Sequence, residues 1–425
     1  MPLPLRTSTV PEKDQFYSEL VERCVAVVVD TLGRESIRAL LMIGAPARSE
    51  VTVVEVPGGY YSLSDIDLVC ACRYGTNLES LRRKLAPAMS ALNREFSGAC
   101  TGADVAVKSE VELAEPRPLI FTYEMIRSPV VVWGDDRVVT ALGDIDIADV
   151  HNTESLVLMH NRVTEKLLVR LHSGGETPST VAALECLYGT AKMVLDSITA
   201  YLFLRNNVPT GFADRVQFFL SDVIRRPESA RLKEGLEGFL DELPAWARFK
   251  TTGDLSGIAT IHGRAAGDGD LVPLAREAWD RYTGYAEVFW RAILSDVARA
   301  DAMECDLVRI GRIYQRLEKP PRSVGRAFRM LERGRAPEGL FSTPRMLLRS
   351  PLGSPRLLAY LTAVVTYLSY SDSVDWDCAD RMILRYCPFA LPSGYRSLTT
   401  EEKREAIIRA LRLLHHGVLL GRKVG

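Results

Sequence analysis

The chain has no long apolar segment and no large net charge, and each absence excludes a class of protein. Of its 425 residues, 47% are hydrophobic and 25% are charged, and the formal net charge is -1. The longest apolar runs, such as LLAYLTAVVTYL, are too short to span a bilayer, so we expect no membrane helix. A charge this close to zero gives no general attraction to nucleic acid or to anionic membranes.

Paired-cysteine motifs are also missing, and we expect no signal peptide. The eight cysteines are scattered and form no Cys-x-x-Cys pair, so their spacing indicates neither a zinc knuckle nor a redox dithiol. We expect them to be buried free thiols. The first residues, MPLPLRTSTVPEKDQF, lack the continuous apolar region of a signal peptide. These observations predict a cytoplasmic protein.

The first half of the sequence contains both helix and strand patterns. Apolar residues at helical spacing predict helices at about 14–32 and 77–96. Strand patterns occur in SIRALLMIG, EVTVVEV, YYSLSDIDLVCAC, ADVAVKSEVEL and SPVVVWG. A PGG turn joins the second and third of these strands. The order predicts an α+β fold in which helices pack on a small mixed β-sheet.

From about residue 149 the pattern changes to long helical stretches. The longest are ESLVLMHNRVTEKLLVRL, TVAALECLYGTAKMVLDSITAYLFLRN and LVPLAREAWDRYTGYAEVFWRAILSDVARA. Connections rich in Gly, Pro and Asn separate them. We therefore predict a strand-containing domain over 1–148, an all-α helical bundle over 149–308, and a basic, mainly helical C-terminal region over 309–425.

One segment departs from the neutral charge of the whole chain. Residues 309–357 contain twelve lysine or arginine side chains and three acidic ones, a balance of +9. Such a segment suits a phosphate-rich partner, for example an RNA end. The alternative is a set of solvated helix faces balanced by an acidic neighbouring domain, because no aromatic ladder is interleaved with the charges.

The stretch SDIDLV places two carboxylates on one predicted strand. Asp65 and Asp67 are two residues apart, so they project to the same side of the strand while Ile66 and Leu68 face the core. Two carboxylates at this spacing repel each other unless a cation lies between them, and magnesium prefers such oxygen ligands. Asp104, at the start of the strand DVAVKSEVEL, is the candidate third acid.

Two glutamates are weaker candidates for that third position. Glu110 and Glu112 lie farther along the same segment as Asp104, and we expect them at the surface. A second Asp-x-Asp run, Asp144 to Asp146, follows Gly143 without a preceding glycine turn and Arg-x-Glu. We interpret it as a loop or the start of a helix.

A glycine turn precedes the acidic pair. Gly44 ends the predicted strand SIRALLMIG, and small residues around it let backbone N–H groups approach a phosphate. Arg48 and Glu50 follow closely. An arginine at this place is suited to phosphate oxygens, and the glutamate to orienting that arginine or metal-bound water.

Taken together, these stretches resemble the nucleotidyltransferases of the DNA polymerase β superfamily. The family pattern is a Gly-Ser turn, an Asp-x-Asp strand and a third Asp on a later strand, which GAPARSE, SDIDLV and ADVAVKSE resemble. The ARSE run is similar to the Ala-Arg-Gly-Glu-like run of small bacterial and archaeal members. The resemblance covers roughly residues 36–112, and two departures accompany it: Ala45 replaces the usual Ser, and a hairpin lengthens the gap between the turn and the Asp pair.

The resemblance implies a set of roles for individual residues. Gly44, with Ala45, Arg48 and Glu50, would bind the nucleotide. Asp65, Asp67 and Asp104 would bind two Mg²⁺ ions, with Mn²⁺ as the alternative, and Asp104 would serve as third ligand or catalytic base. In relatives, a helix after the catalytic domain supplies a basic residue to the phosphates, and Lys192 resembles that residue. An ion pair of Lys192 with Asp196, one turn away, is the alternative.

The predicted function is therefore transfer of a nucleoside monophosphate from a nucleoside triphosphate, ATP by preference, to a hydroxyl-bearing acceptor, with release of pyrophosphate. The acceptor remains open between a small molecule, a protein and an RNA end, and cyclic-oligonucleotide synthesis is a further alternative. The oligomeric state is not predicted. A hypothesis of another class is a catalytically silent nucleotide-binding sensor or scaffold, and Ala45 is the residue that favours it.

Overall fold

The computed structural model describes residues 10–171, 178–264, 271–317, 355–370, 374–386, 391 and 394–414. Over these residues the chain is an α+β structure with a small mixed sheet, a separate two-stranded sheet and a following group of helices. The predicted α+β class with a small mixed sheet is confirmed at this level.

Six strands form two sheets in the described part of the chain. They are β1 Ile37–Met42, β2 Val53–Val56, β3 Gly59–Ser62, β4 Ile66–Cys72, β5 Ala103–Ser109 and β6 Val130–Gly134. The larger sheet has the order β5-β4-β1-β6. It is mixed because β4 and β5 are parallel whereas β1 is antiparallel to both β4 and β6. The hairpin of β2 and β3 forms the smaller sheet.

Helices cover both faces of the larger sheet. They are α1 Pro11–Leu32, α2 Gly44–Ala47, α3 Leu78–Glu95, α4 Glu110–Ala114 and α5 Ile120–Arg127. Apolar side chains of α1 and α3 pack with Ile66, Leu68 and Cys70 on one face. On the other face, Val69 packs with Met125 of α5. The two long helices predicted before residue 100 are confirmed.

The predicted strand YYSLSDIDLVCAC is broken in the middle. Its first part is β3, which pairs with β2 and makes one isolated bridge from Ser62 to Cys100, and its second part is β4 of the larger sheet. Hydroxyl groups satisfy the backbone at the break: Ser64 Oγ accepts from Thr52 N at 2.9 Å, and Ser62 Oγ donates to Ser64 O at 2.8 Å. Such side-chain bonds give the chain an alternative to continuous strand pairing.

The predicted strand ADVAVKSEVEL is also shorter than expected. It ends at Ser109, whose hydroxyl accepts from Glu112 N at 3.1 Å while the Glu112 carboxylate accepts from Ser109 N at 3.0 Å. This reciprocal pair is a capping box, which starts α4. Glu110 and Glu112 therefore lie on a helix rather than on the strand of Asp104.

The second half of the described chain is helical, as predicted. The helices are α6 Thr153–Leu168, α7 Thr180–Leu204, α8 Phe212–Ser221, α9 Ala230–Leu236, α10 Leu243–Thr252, α11 Ser256–Ile261, α12 Leu271–Ala298, α13 Leu307–Leu317, α14 Pro355–Leu368, α15 Trp376–Tyr386 and α16 Thr400–Leu414. Their buried side chains form one apolar core, which we call the helical core; it includes residues from Leu156 to Leu411. The described residues beyond 308 thus share a core with those of 149–308.

The β2–β3 hairpin joins the strand domain to the helices. Its side chains Val54 and Tyr61, together with Leu63, belong to the helical core. Tyr61 OH also donates to Glu185 Oε1 of α7 at 2.7 Å. The insertion between the glycine turn and the Asp pair is therefore part of the contact between the two halves.

Several other predictions concern single segments. The second Asp-x-Asp run lies in a loop that ends in a short 3-10 turn at Ile147–Asp149, as expected. The described cysteines are free thiols, and all but Cys378 are buried, whereas Cys387 lies outside the described residues. Most of the basic segment, 318–354, also lies outside them. No helix in the described ranges is both long and apolar enough to cross a membrane.

Candidate active site

The acidic residues meet where β4 and β5 run side by side. Asp67 and Asp104 are direct partners in the parallel register of these two strands. Ile66 and Leu68 are buried, while Asp65 and Asp67 are partly exposed and Asp104 is exposed. The expected alternation along β4 and the expected placement of Asp104 beside the pair are both confirmed.

The glycine turn lies against the Asp67 carboxylate. Ile43 N donates to Asp67 O at 3.1 Å, so the turn leaves β1 directly beside β4. Gly44 has φ +72°, a conformation that favours glycine. A Cβ atom at Gly44 would lie 3.8 Å from Asp67 Oδ2, and the glycine keeps this approach open.

Ala45, which follows Gly44 in the turn, makes both a backbone and a side-chain contact. Its carbonyl oxygen accepts from Arg48 N at 3.0 Å and from Glu50 N at 2.9 Å, which closes the turn. Its side chain packs against the helical core. A methyl group suits this apolar neighbour better than a hydroxyl group would.

Lys192 of α7 reaches the acidic residues from the helical half. Its Nζ lies 3.6 Å from Asp65 Oδ1 and 3.8 Å from Glu165 Oε2 of α6. The Lys192 side chain is 19% exposed and the Asp65 side chain 45% exposed, so solvent reaches both partners of the pair. The structure therefore brings the predicted basic residue to the predicted acidic site.

Asp196 and Arg162 extend this charge chain into the helices. Arg162 Nε donates to Asp196 Oδ2 at 2.5 Å, and Arg162 also pairs with Glu165. Asp196 thus balances Arg162, while Lys192 turns to Asp65 and Glu165. Alternating charges of this kind hold long side chains in place, which orients Lys192 toward Asp65.

The opposite charges set the protonation of the pair. Burial alone would raise the pKa of Asp65, but Lys192, with smaller contributions from Arg162 and Lys250, holds that pKa below its ordinary value. Burial alone would lower the pKa of Lys192, but Asp65 and Glu165 raise it above its ordinary value. Both groups are charged at neutral pH, and Lys192 is the internal counter-ion of Asp65.

Arg48 and Glu50 have partners outside the acidic cluster. Arg48 donates to Glu50 Oε2 at 2.9 Å and to Glu124 Oε2 of α5 at 3.1 Å. Glu50 Oε1 accepts from the backbone N–H of Phe212, the first residue of α8, at 2.6 Å. Arg215 of α8 donates to both oxygens of Glu124 at 2.8 Å. These residues, which we call the α8 clamp, fix the glycine turn to the helical half.

Two residues beside Asp65 were not predicted. Tyr188 of α7 and Ser64 share a hydrogen bond between Oη and Oγ at 3.2 Å, and Tyr17 OH donates to Asp65 O at 3.3 Å. Tyr188 precedes Lys192 by four residues, so one helix face carries both. That spacing is the sequence signal that points to Tyr188, whereas Tyr17 has no signal because its helix is distant in the chain.

The carboxylates of Asp67 and Asp104 offer a place for a divalent cation. Asp67 and Asp104 offer oxygen donors on adjacent strands, and magnesium commonly binds one or two carboxylates together with phosphate oxygens. The donor set therefore fits Mg²⁺ or Mn²⁺. Within the described ranges, no group of three or more His, Cys, Asp or Glu side chains is close enough to hold a metal by itself.

No protein-family model matches the chain, and no curated protein matches it either. The candidate site is therefore defined by its own geometry: the pairing of Asp67 with Asp104, the approach of Gly44 and the contact of Lys192 with Asp65.

Proposed function

We propose that this chain is a magnesium-dependent nucleotidyltransferase that moves a nucleoside monophosphate from a nucleoside triphosphate to a hydroxyl group of an acceptor. The observation that carries the proposal is the pairing of Asp67 with Asp104 on adjacent parallel strands, with Asp65 two residues earlier. Carboxylates gathered at one place on a sheet suit phosphoryl chemistry, because divalent cations held there neutralise phosphate charge.

In the proposed reaction, the acceptor oxygen forms a bond to the α-phosphorus, and the bond from that phosphorus to the bridging oxygen breaks. Pyrophosphate leaves with the electron pair of that bond. The proton of the acceptor hydroxyl passes to the exposed carboxylate of Asp104. Asp67 and Asp104, with Asp65 two residues before Asp67, would hold Mg²⁺ together with phosphate oxygens of the nucleotide; when bound, the metal supplies charge neutralisation and acidifies a coordinated hydroxyl.

The remaining groups of the site orient the triphosphate. The glycine turn at Gly44 lets backbone N–H groups approach phosphate oxygens without a side chain between them. The contact between Lys192 and Asp65, at 3.6 Å, is longer than a tight charged hydrogen bond, so the ammonium can turn to phosphate oxygens. Alignment and charge neutralisation, rather than covalent catalysis, would supply most of the rate.

ATP is the first nucleotide to test, and the acceptor classes are a small hydroxylated molecule, a protein hydroxyl and an RNA end. The site does not distinguish among these acceptors, because acceptor choice depends on the shape of the cleft. We place the reaction in the cytoplasm as part of the same proposal.

The proposal predicts that the double substitution Asp65→Asn, Asp67→Asn abolishes nucleotide turnover. Removing two negative charges while keeping side-chain volume should lower the rate by at least about 100-fold, since a single lost electrostatic contact already costs that much in other enzymes. Release of pyrophosphate from each nucleoside triphosphate with Mg²⁺, in the presence of each acceptor class, is the measurement.

The second Asp-x-Asp run provides a matched control. Asp144→Asn, Asp146→Asn removes the same two charges at the same spacing from a loop, and it should leave turnover unchanged. Circular dichroism should show the same helix content for both variants. Full turnover in the Asp65→Asn, Asp67→Asn variant would rule out the proposed chemistry.

The second candidate function is a silent nucleotide sensor, and the packing of the Ala45 methyl group against the helical core favours it. Calorimetric titration of each nucleoside triphosphate, with and without Mg²⁺, separates the two. Both functions require binding that depends on Mg²⁺ and on Asp65 and Asp67, and such binding must also raise the melting temperature. Binding without any release of pyrophosphate would favour the sensor.

A further inference from the structure

The Lys192 ammonium has two carboxylate neighbours at almost the same distance. Its Nζ lies 3.6 Å from Asp65 Oδ1 and 3.8 Å from Glu165 Oε2. A tight charged hydrogen bond of this type measures about 2.7–2.9 Å, so neither carboxylate holds the ammonium firmly. A small turn of the Lys192 side chain is therefore enough to favour either acceptor.

The two acceptors differ in what surrounds them. Glu165 lies on α6, where it also pairs with Arg162 of the same helix, and its side chain is 29% exposed. The Asp65 side chain is 45% exposed, while the Asp65 backbone is fixed by Tyr17, whose hydroxyl donates to Asp65 O at 3.3 Å. Of the two carboxylates, Asp65 is the one that a dissolved cation reaches more easily.

The charges around Lys192 balance without Asp65. One chain of ion pairs contains three carboxylates and two cations, namely Asp65, Glu165, Asp196, Lys192 and Arg162. Its four members on α6 and α7 are two carboxylates and two cations, and together they are neutral. Asp65 can therefore leave the chain of ion pairs without leaving a cation uncompensated.

A permanent ion pair between Lys192 and Asp65 is the competing explanation. In that case the pair only joins the strand domain to α7, and Glu165 only anchors Arg162. A divalent cation on Asp65 would then meet the ammonium on the same carboxylate, and two positive charges at such a distance repel each other. A second acceptor within reach of Lys192 removes this conflict.

We propose that Glu165 is a positioning residue that accepts the Lys192 ammonium when a divalent cation takes the Asp65 carboxylate. The inference rests on the proposed function, which supplies the divalent cation. Lys192 and the cation exclude each other at Asp65, so each lowers the affinity of the other by the same factor. Glu165 reduces this antagonism, because it offers the displaced ammonium another carboxylate.

Binding of Mn²⁺ alone, without nucleotide, tests the exchange on the full chain. Calorimetry and the electron paramagnetic resonance signal of free Mn²⁺ would measure the affinity. Lys192→Met should bind Mn²⁺ about tenfold more tightly than the wild type, because the competing ammonium is gone. Glu165→Gln should bind it about fivefold more weakly, because Lys192 then has only Asp65 as its acceptor.

The double variant separates the exchange from a simple effect of charge. A negative charge at Glu165 attracts any nearby cation, whether or not Lys192 moves. If Glu165 acts by receiving Lys192, then adding Glu165→Gln to Lys192→Met should change the affinity by less than about twofold. An equal loss in both backgrounds would show that Glu165 acts through its own charge, and it would overturn the proposal.

Lys108 provides the matched control for the lysine substitution. It lies on β5, the strand of Asp104, and its side chain is 32% exposed and pairs with Glu112. Lys108→Met removes the same charge and should change the Mn²⁺ affinity by less than about twofold. Circular dichroism checks the fold of each variant, and Lys192→Gln replaces Lys192→Met if the latter does not fold.

The remaining outcomes keep this inference apart from the proposed function. No gain of Mn²⁺ affinity in Lys192→Met, or no Mn²⁺ binding by the wild type and Lys192→Met, overturns the exchange. In that case, pyrophosphate release that depends on Asp65 and Asp67 would still support the transferase. Conversely, the expected affinities in a protein without turnover would support the exchange and contradict the transferase.

Discussion

Lys166 of α6 carries its charged group into the helical core. The residue has no exposed surface, and its Nζ donates to Trp279 O at 2.9 Å. The rings of Trp279 and Tyr367 lie 5.3 and 5.2 Å from the ammonium. Burial lowers the pKa of Lys166 to about 7, because desolvation penalises the charged form.

This lowered pKa predicts a pH-dependent stability. The pKa of lysine in the unfolded chain is about 10.4, so between pH 7 and that value the unfolded state binds more protons than the folded state. The free energy of unfolding should therefore rise with pH in this window. Relative to Lys166→Met, the wild type should gain about 2 kcal/mol between pH 7 and pH 9, measured by urea unfolding at each pH.

Lys108 provides the control for this experiment. Its side chain is 32% exposed and pairs with Glu112, so Lys108→Met should preserve the wild-type pH dependence. Parallel pH curves for the wild type and Lys166→Met would contradict the prediction. Such a result would mean that Lys166 keeps its proton in the folded state.

The α8 clamp connects elements that are far apart in the sequence. Arg215 of α8 is 3% exposed and bonds to Glu124 of α5, and it also donates to the backbone oxygens of Pro209 and Thr210. Through Glu124 it meets Arg48, which follows the glycine turn. The clamp thus holds the turn of the candidate site against a helix of the other half.

Arg215→Met is expected to destabilise the protein strongly. The change leaves two backbone oxygens without a donor and Glu124 with Arg48 as its remaining clamp partner. Breaking a buried ion pair in this way costs about 3 kcal/mol of unfolding free energy, which urea unfolding would measure. The exposed Arg137, paired with Asp135, is the matched control, and Arg137→Met should cost less than about 0.5 kcal/mol. Equal losses in the two variants would contradict the clamp.

The two halves of the described chain should unfold together. The hairpin side chains Val54 and Tyr61 lie in the helical core, and the α8 clamp adds a polar contact between the same halves. Unfolding of either half alone would expose this shared surface to water. Cooperative unfolding as one unit is therefore favoured over two separate transitions.

Buried cysteines can report on both halves without substitution. Cys70 and Cys72 are buried in β4, Cys186 is buried in α7, and Cys378 is partly exposed. Mass spectrometry after alkylation in increasing urea should show Cys70 and Cys186 becoming reactive at the same midpoint, while Cys378 reacts earlier. Labelling of Cys70 at a clearly lower urea concentration than Cys186 would show that the halves unfold independently.

The local sequence pattern was sufficient to predict most helices and strands, and it failed at two element boundaries. Helical spacing of apolar residues predicted α1 and α3, and short apolar or alternating runs predicted β1, β4 and β6. The failures were the break between β3 and β4 and the start of α4. Both depend on hydroxyl side chains that bond to nearby backbone, at Ser64 and Ser109, and such bonds compete with strand pairing.

At the candidate site, the sequence predicted the positions of the acidic residues better than it predicted the contacts of the residues around them. Strand period placed Asp65 and Asp67 on one side, and the β4–β5 pairing supplied Asp104. Arg48 and Glu50 were predicted as nucleotide-binding residues, but their described contacts are with Glu124 and α8. A short local motif carries no information about a helix that is distant in the chain, which is why these contacts could not be predicted from the sequence.

The sequence by itself determined the α+β class, the helical second half and the side of β4 that carries the carboxylates, because these follow from periodicity between near neighbours. The tertiary structure alone decided that Lys192 faces Asp65, that Arg48 is held by Glu124, and that Lys250 is buried beside Tyr188. These contacts join residues that are distant in the chain, and their partners are selected by the packing of whole elements rather than by local pattern.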